Sequence, residues 1–139
     1  MYEIFEHTAD FGLRMESESL EGVFAESARA LFALMLTDPT QVRAADSVDV
    51  SVDRERGDSF DNLLHDWLSE LLYLFHTRRM AFTDFEVEID DDCVRGTARG
   101  EPLDPKRHHV EVEVKAITYH GLKVEQIPQG WMAEVIVDI

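Results

Sequence analysis

On either side of a short Thr8-Ala9-Asp10 break, aromatic and aliphatic residues alternate with polar ones, which predicts strands over Tyr2–His7 and 11–16, or one bent strand. From Leu20 the period changes. Leu20, Val23, Phe24, Leu31, Leu34 and Met35 recur at intervals of three and four, Ser19 is placed to cap, and Asp38-Pro39 stops the run, so a helix of about four or five turns is expected. Period two returns over 46–52, with Val48, Val50 and Val52 on one side of a strand. A second helix follows, in which Phe60, Leu63, Leu64, Trp67, Leu68, Leu71, Leu72, Leu74 and Phe75 form a broad apolar face. Asp58 is placed to cap it, His76-Thr77 to end it, and His65, Asp66, Ser69, Glu70 and Tyr73 to make its polar side. The remainder reads as strands over 82–89, 93–99, 110–117, 122–127 and 131–137, with turns at Asp90-Asp91-Asp92 and Pro128-Gln129-Gly130.

Two amphipathic helices and six or seven strands, joined mostly by hairpins, predict an α+β, two-layer fold. Both helices would pack on one face of a mostly antiparallel or mixed β-sheet, and the strict alternation of Val110-Glu111-Val112-Glu113-Val114 lets the other face meet water. No linker, repeat or low-complexity segment interrupts the chain, so residues 1–139 are read as one domain.

Composition narrows the possible chemistry. With 139 residues, 45% of them hydrophobic, the chain can bury a core without disulfides or a structural metal. Its single cysteine, Cys93, excludes an intrachain bridge and a thiolate zinc site, fits a reducing cytosol, and reads as an inert small residue. The start of the chain carries acids where a signal peptide carries Lys or Arg, and no apolar run reaches membrane-spanning length; a cytoplasmic protein away from membranes is expected. Charge is lopsided: 29 Asp plus Glu against 13 Lys plus Arg, formal net charge -16, with Lys106, Lys115 and Lys123 as the lysines. Such a surface repels a phosphate backbone, so strong direct RNA or DNA binding is not expected. A basic protein or a hard cation would be attracted instead, unless the acidity is an adaptation to a salty cytoplasm. In molar salt the Debye length falls to about 3 Å, and then only carboxylates sharing one ion still feel it.

Familiar catalytic signatures are missing: there is no Gly-rich phosphate loop, HExxH or GxSxG, and His108 and His109 are adjacent, so on a strand they would face opposite ways. His65, Asp66 and Glu70 could form an acid–base set on the second helix, or simply its solvated flank. The end of the chain is more informative, because the run from Trp131 to Ile139 is apolar to its final residue, which predicts that the terminus belongs to the fold. The Asp138 side chain and the Ile139 α-carboxylate would then sit within a few Å of each other. Either a cation, Arg or Lys neutralises them or both lie in water. A hard divalent ion is one answer, if a third acid joins them. Asp10 is the candidate, aimed from a short loop with His7 and Thr8 to orient it, although that segment also reads as a plain turn. Lys115, Tyr119 and His120 lie within six residues on a strand and the turn after it. They bring a positive group among the acids, or a lysine on an edge strand paired with a neighbouring Glu.

Four blocks, in order and spanning essentially the whole chain, resemble the archease family: His7-Thr8-Ala9-Asp10, Asp66-Trp67-Leu68-Ser69-Glu70-Leu71-Leu72-Tyr73-Leu74, Lys115-Ala116-Ile117-Thr118-Tyr119-His120-Gly121-Leu122 and Val137-Asp138-Ile139. Phe11 and Ser69 depart from the aliphatic residue and the Asn common in the family, and neither is one of the proposed ligands. The resemblance implies an accessory protein that is not itself an enzyme. It would activate the tRNA-splicing RNA ligase, which joins 3'-phosphate or 2',3'-cyclic phosphate ends to 5'-hydroxyl ends in tRNA splicing and RNA repair, by promoting its GTP-dependent guanylylation and multiple turnover. It also implies a divalent-metal site at Asp10, Asp138 and the Ile139 carboxylate, calcium favoured with magnesium or manganese as alternatives, and a role for Lys115 in activation. His7, Tyr119 and His120 are its neighbours. A stand-alone metal-dependent phosphoesterase and a general chaperone or interaction module are the competing readings.

Overall fold

The computed structural model describes residues 1–7, 10–54 and 59–139, and of His7 the backbone only. The Thr8-Ala9 connection and the Asp58 cap expected from the sequence lie outside these residues. Strands β1 (Tyr2–His7) and β2 (Asp10–Ser17) form an antiparallel pair that sets Ile4 opposite Leu13 and His7 opposite Asp10. Helix α1 (Leu20–Met35) starts as expected at Ser19, whose hydroxyl accepts the Gly22 N–H at 3.0 Å. After it, Asp38 accepts the Thr40 N–H in a short turn over Pro39–Gln41. Strand β3 (Asp46–Asp53) precedes helix α2 (Phe60–Arg78), which is capped by Ser59 through the Asn62 N–H at 3.3 Å. Strands β4 (Met80–Ile89), β5 (Cys93–Pro102), β6 (Ala116–Ile117), β7 (Lys123–Ile127) and β8 (Gly130–Asp138) complete the order.

The class is α+β, as the sequence predicts, but the strands divide between two antiparallel sheets. One runs β1-β2-β8-β6, with β7 also on β8, and the other runs β3-β5-β4, leaving β3 and β4 at its rims. Each sheet turns one row of apolar residues inward. Leu13, Met15, Ala133, Val135 and Val137 come from the first, and Val50, Val94, Ala98 and Phe85 from the second. These rows meet in one buried cluster with both helices, α1 packing on β2 and β4, and α2 on β3, β6 and β7. No helix among the described residues is long and apolar enough to cross a membrane.

The expected strand over 110–117 is corrected. Only Ala116–Ile117 joins a ladder, and Val110 makes a lone bridge to Leu36. Its alternation is still visible in burial, since Val114 is fully buried while Glu111 and Glu113 are exposed. The hydrogen bonds go elsewhere. The N–H groups of Glu111 and Val112 donate to the Met35 carbonyl, one of the four left unpaired at the end of α1, and the Val114 carbonyl accepts from His76 on α2. The helices offer these backbone groups partners that replace those of a strand.

A buried ionic cluster anchors the loop over 103–109, and no sequence pattern announced it. Glu101 accepts from Arg107 at 2.6 and 3.1 Å, from the Arg43 N–H at 2.7 Å and from His108 at 3.1 Å, while Arg107 also donates to the Gln41 carbonyl at 3.0 Å. His108 is buried and His109 is exposed, so the two adjacent histidines do point apart, although in a loop. The Arg107 bonds, helped by the Arg43 N–H and His108, hold the Glu101 carboxyl down to about 2 from its ordinary 4.5, despite burial. A carboxylate depressed in the folded state contributes its stability fully above pH 4.5 and loses it as pH falls toward about 2. The denaturant midpoint is therefore expected to fall between pH 6 and about pH 2.5 by more in the wild type than in Glu101→Gln. Equal losses would show that Glu101 is not responsible.

Candidate functional site

Three strand ends converge at the carboxyl end of β8. Phe11 pairs with Val137 and Gly12 with Ile136, so the same register, extended one step, sets Asp10 beside Asp138. On the other side of β8, Ala116 pairs with Asp138, and the Lys115 N–H donates to the Asp138 carbonyl at 2.7 Å. The alternation of strands sends Phe11, Ile117 and Val137 toward the core and the Asp10 and Asp138 carboxylates to the opposite face; of His7, a further expected neighbour, only the backbone pairing with Asp10 is described. Asp10 is half-buried and Asp138 exposed, and Ile139 follows at 36% exposure.

Among the described residues neither carboxylate has a hydrogen-bond or ion-pair partner, and the Lys115 ammonium has none either. The expectation that Lys115 pairs with a neighbouring Glu therefore passes to another lysine: it is Lys123 that lies 3.7 Å from Glu125 and 4.0 Å from Glu134. No three His, Cys, Asp or Glu side chains gather as a ligand set among the described residues. The set implied by the sequence draws instead on two side-chain carboxylates and a terminal one. Such oxygen-only, anionic donors suit a hard ion.

Tyr119 stacks on His65, ring centroids 3.9 Å apart and planes 12° from parallel, while remaining 62% exposed. The His120 N–H donates to the Thr118 hydroxyl at 3.2 Å, and Thr118 in turn bonds the Ile136 carbonyl at 2.8 Å, which ties this turn to β8. His65 is not a free acid–base group. Its Nε2 donates to the Ile117 carbonyl at 3.0 Å, with Asp66 3.1 Å from Nδ1. Sequence reading missed two related contacts from α2, His76 to the Val114 carbonyl and the Val124 N–H to Asp61; side chains that bind backbone leave no motif. The shared spacing of 61, 65 and 76 along one helix was the only trace.

Similarity to known proteins extends along the whole chain. A family model described as the Archease protein family matches residues 2–139. The chain is 44% identical over 142 residues to the protein archease of Methanopyrus kandleri, covering 99% of each chain, and 39% identical over 143 residues to that of Pyrococcus furiosus, covering 99% of this chain and 98% of the other. A Methanobacterium thermoautotrophicum protein solved in solution superposes with a TM-score of 0.85 at 37% identity, over 99% of this chain and 98% of that one. A crystal structure from Thermotoga maritima, described as an archease and possible chaperone, shares the fold at a TM-score of 0.62 and 20% identity, over 100% of this chain and 98% of that one.

Proposed function

The chain belongs to the archease family, and from that premise we propose that it is a non-catalytic activator of the tRNA-splicing RNA ligase. It docks transiently on the ligase and promotes its guanylylation by GTP, serving the joining of 3'-phosphate or 2',3'-cyclic phosphate ends to 5'-hydroxyl ends in tRNA splicing and RNA repair. The observation that carries this reading is the meeting of Asp10, Asp138 and Lys115 at one sheet end, with no partner for their charges among the described residues.

Asp10, Asp138 and the Ile139 carboxylate would hold a divalent ion, calcium favoured over magnesium or manganese. When bound, the ion supplies positive charge of the kind that nucleotidyl transfer uses to neutralise phosphate oxygens. The protein's own residues do the presenting. β2 and β8 set Asp10 and Asp138 at neighbouring positions, and the bond from the Lys115 N–H to the Asp138 carbonyl holds the Lys115 backbone at the same sheet end, from which its side chain would reach an anionic group at the partner's nucleotide centre. Such an accessory raises the partner's rate by positioning and charge, and donates no catalytic acid or base.

The test mixes the protein with ligase, GTP and a divalent ion, and counts guanylylated ligase and ligation cycles per ligase. Wild type is expected to raise both, and Asp10→Ala, Asp138→Ala and Lys115→Ala, each shown to be folded, to lose at least about tenfold of that stimulation, as for removal of a charge that meets developing phosphate charge. Full stimulation by all three variants removes the reading. Chelator-sensitive turnover of phosphate esters without ligase would favour a phosphoesterase, and equal binding of many unfolded clients by wild type and Asp138→Ala would favour a chaperone.

A further inference from the structure

Three side chains of α2 grip the backbone of the chain that runs past the helix. His76 Nε2 donates to the Val114 carbonyl at 2.9 Å, His65 Nε2 donates to the Ile117 carbonyl at 3.0 Å, and Asp61 accepts the Val124 N–H at 2.7 Å. A carbonyl oxygen only accepts, so both carbonyls fix a proton on the ring nitrogen that faces them. The two histidines bracket Lys115 and Ala116, and the N–H of Lys115 is the one bonded to Asp138.

Beyond these grips the segment is held by β6 and, just after it, by Thr118, whose N–H and hydroxyl donate to the Ile136 carbonyl at 3.1 and 2.8 Å. β6 contributes only two residue pairs, Ala116 with Asp138 and Ile117 with Val137, and a ladder that short is not stable on its own. Val114 and Ile117 are buried, so the segment is pinned at both ends of its apolar side, while Lys115 between them is exposed. His65 is well placed as a strut. Its side chain is only 14% exposed, the Tyr119 ring covers one face, and Asp66 bears on its second nitrogen.

We propose that His65 and His76 are positioning residues, a two-point brace from α2 that holds residues 114–117 so that Lys115 stays beside Asp138. The importance of Lys115 to a partner rests on the proposed function, but the brace belongs to the protein alone and is measured without the ligase.

The test uses the full chain with His65→Leu, His76→Leu and the corresponding Gln variants. In the free protein, amide hydrogen exchange at Lys115 and Thr118 is expected to speed up about tenfold in each Leu variant, the factor that one hydrogen bond of ordinary net worth sets, while the β2–β8 amides keep wild-type rates. Each Gln variant, whose side-chain N–H can reach the same carbonyl, is expected to stay within about twofold of wild type. His76 lies at the exposed end of α2, so its variants report on the brace even if His65→Leu disturbs packing. With ligase present, the Leu variants are expected to lose about tenfold of the stimulation and the Gln variants to recover it. Unchanged Lys115 exchange in the Leu variants overturns the proposal. So does full stimulation by both Leu variants when Lys115→Ala abolishes it. Full stimulation by Lys115→Ala as well removes the activator reading instead, and exchange alone then decides the brace.

Discussion

Replacing Trp67 by alanine is expected to cost about 4 kcal/mol of unfolding free energy. The indole is fully buried on α2, its N–H donates to the Phe24 carbonyl of α1 at 3.1 Å, and its rim lies against β5, where a β-carbon on Gly96 would fall 2.5 Å from the ring. One side chain thus joins both helices and the three-stranded sheet. Deleting it leaves a cavity among three elements that cannot all close on it at once. Trp67→Phe keeps most of the apolar volume and removes the N–H, so about 1–2 kcal/mol is expected from that change. Denaturant unfolding read as midpoint and slope checks both values; a Trp67→Ala loss below that of Trp67→Phe would contradict this account of the core.

The second large effect concerns the acidic sheet end. Asp138→Asn is expected to weaken binding of a divalent ion by at least about 100-fold, since altering even groups behind the ligands commonly costs 10- to 100-fold. Asp10→Asn is expected to do the same, whereas Lys115→Ala is expected to leave ion affinity unchanged or slightly higher, because it removes a nearby positive charge. The measurement is calorimetric titration with calcium in about 1 M monovalent salt, where a Debye length near 3 Å suppresses diffuse attraction to a chain of net charge -16. Equal affinities for wild type and Asp138→Asn would show that Asp138 is not a ligand. Paired with the ligase assay, this titration separates loss of the ion from loss of Lys115.

What the sequence made legible follows the kind of force involved. α1 was found from Ser19 to its stop before Asp38, and β3 and β8 to within about a residue or two, because burial of a stripe leaves a period in the chain. The same alternation over 110–117 correctly reports that Val114 points inward, yet it says nothing about which groups take the backbone hydrogen bonds, and there the expected strand gave way to α1 and α2. Division into two sheets was equally hidden, since a strand's pattern fixes its buried side and not its neighbour. At the site, Asp10 and Asp138 could be picked out as acids next to apolar strands, but their nearness depends on the β2–β8 register, a long-range pairing. Lys115 was singled out by its rarity and by family resemblance. His65 stands out in the sequence only as a candidate acid–base group and His76 only as a helix end; their bonds to the chain beside Lys115 leave no signal, because the partners are carbonyls, which every residue carries.

The open rim at β3 bears on how copies of this protein behave when crowded. Asp46, Asp49 and Asp53 line that strand and are all exposed, with Ser47 and Ser51 between them. Joining this rim to the same rim of a second copy would crowd six aspartates along one seam. A bare row of N–H and C=O groups invites polymerisation, and the aspartates oppose it as charged guards at a sheet edge. Replacing the three aspartates by asparagine would disarm those guards, so strand-to-strand assembly is expected of that variant and not of the wild type.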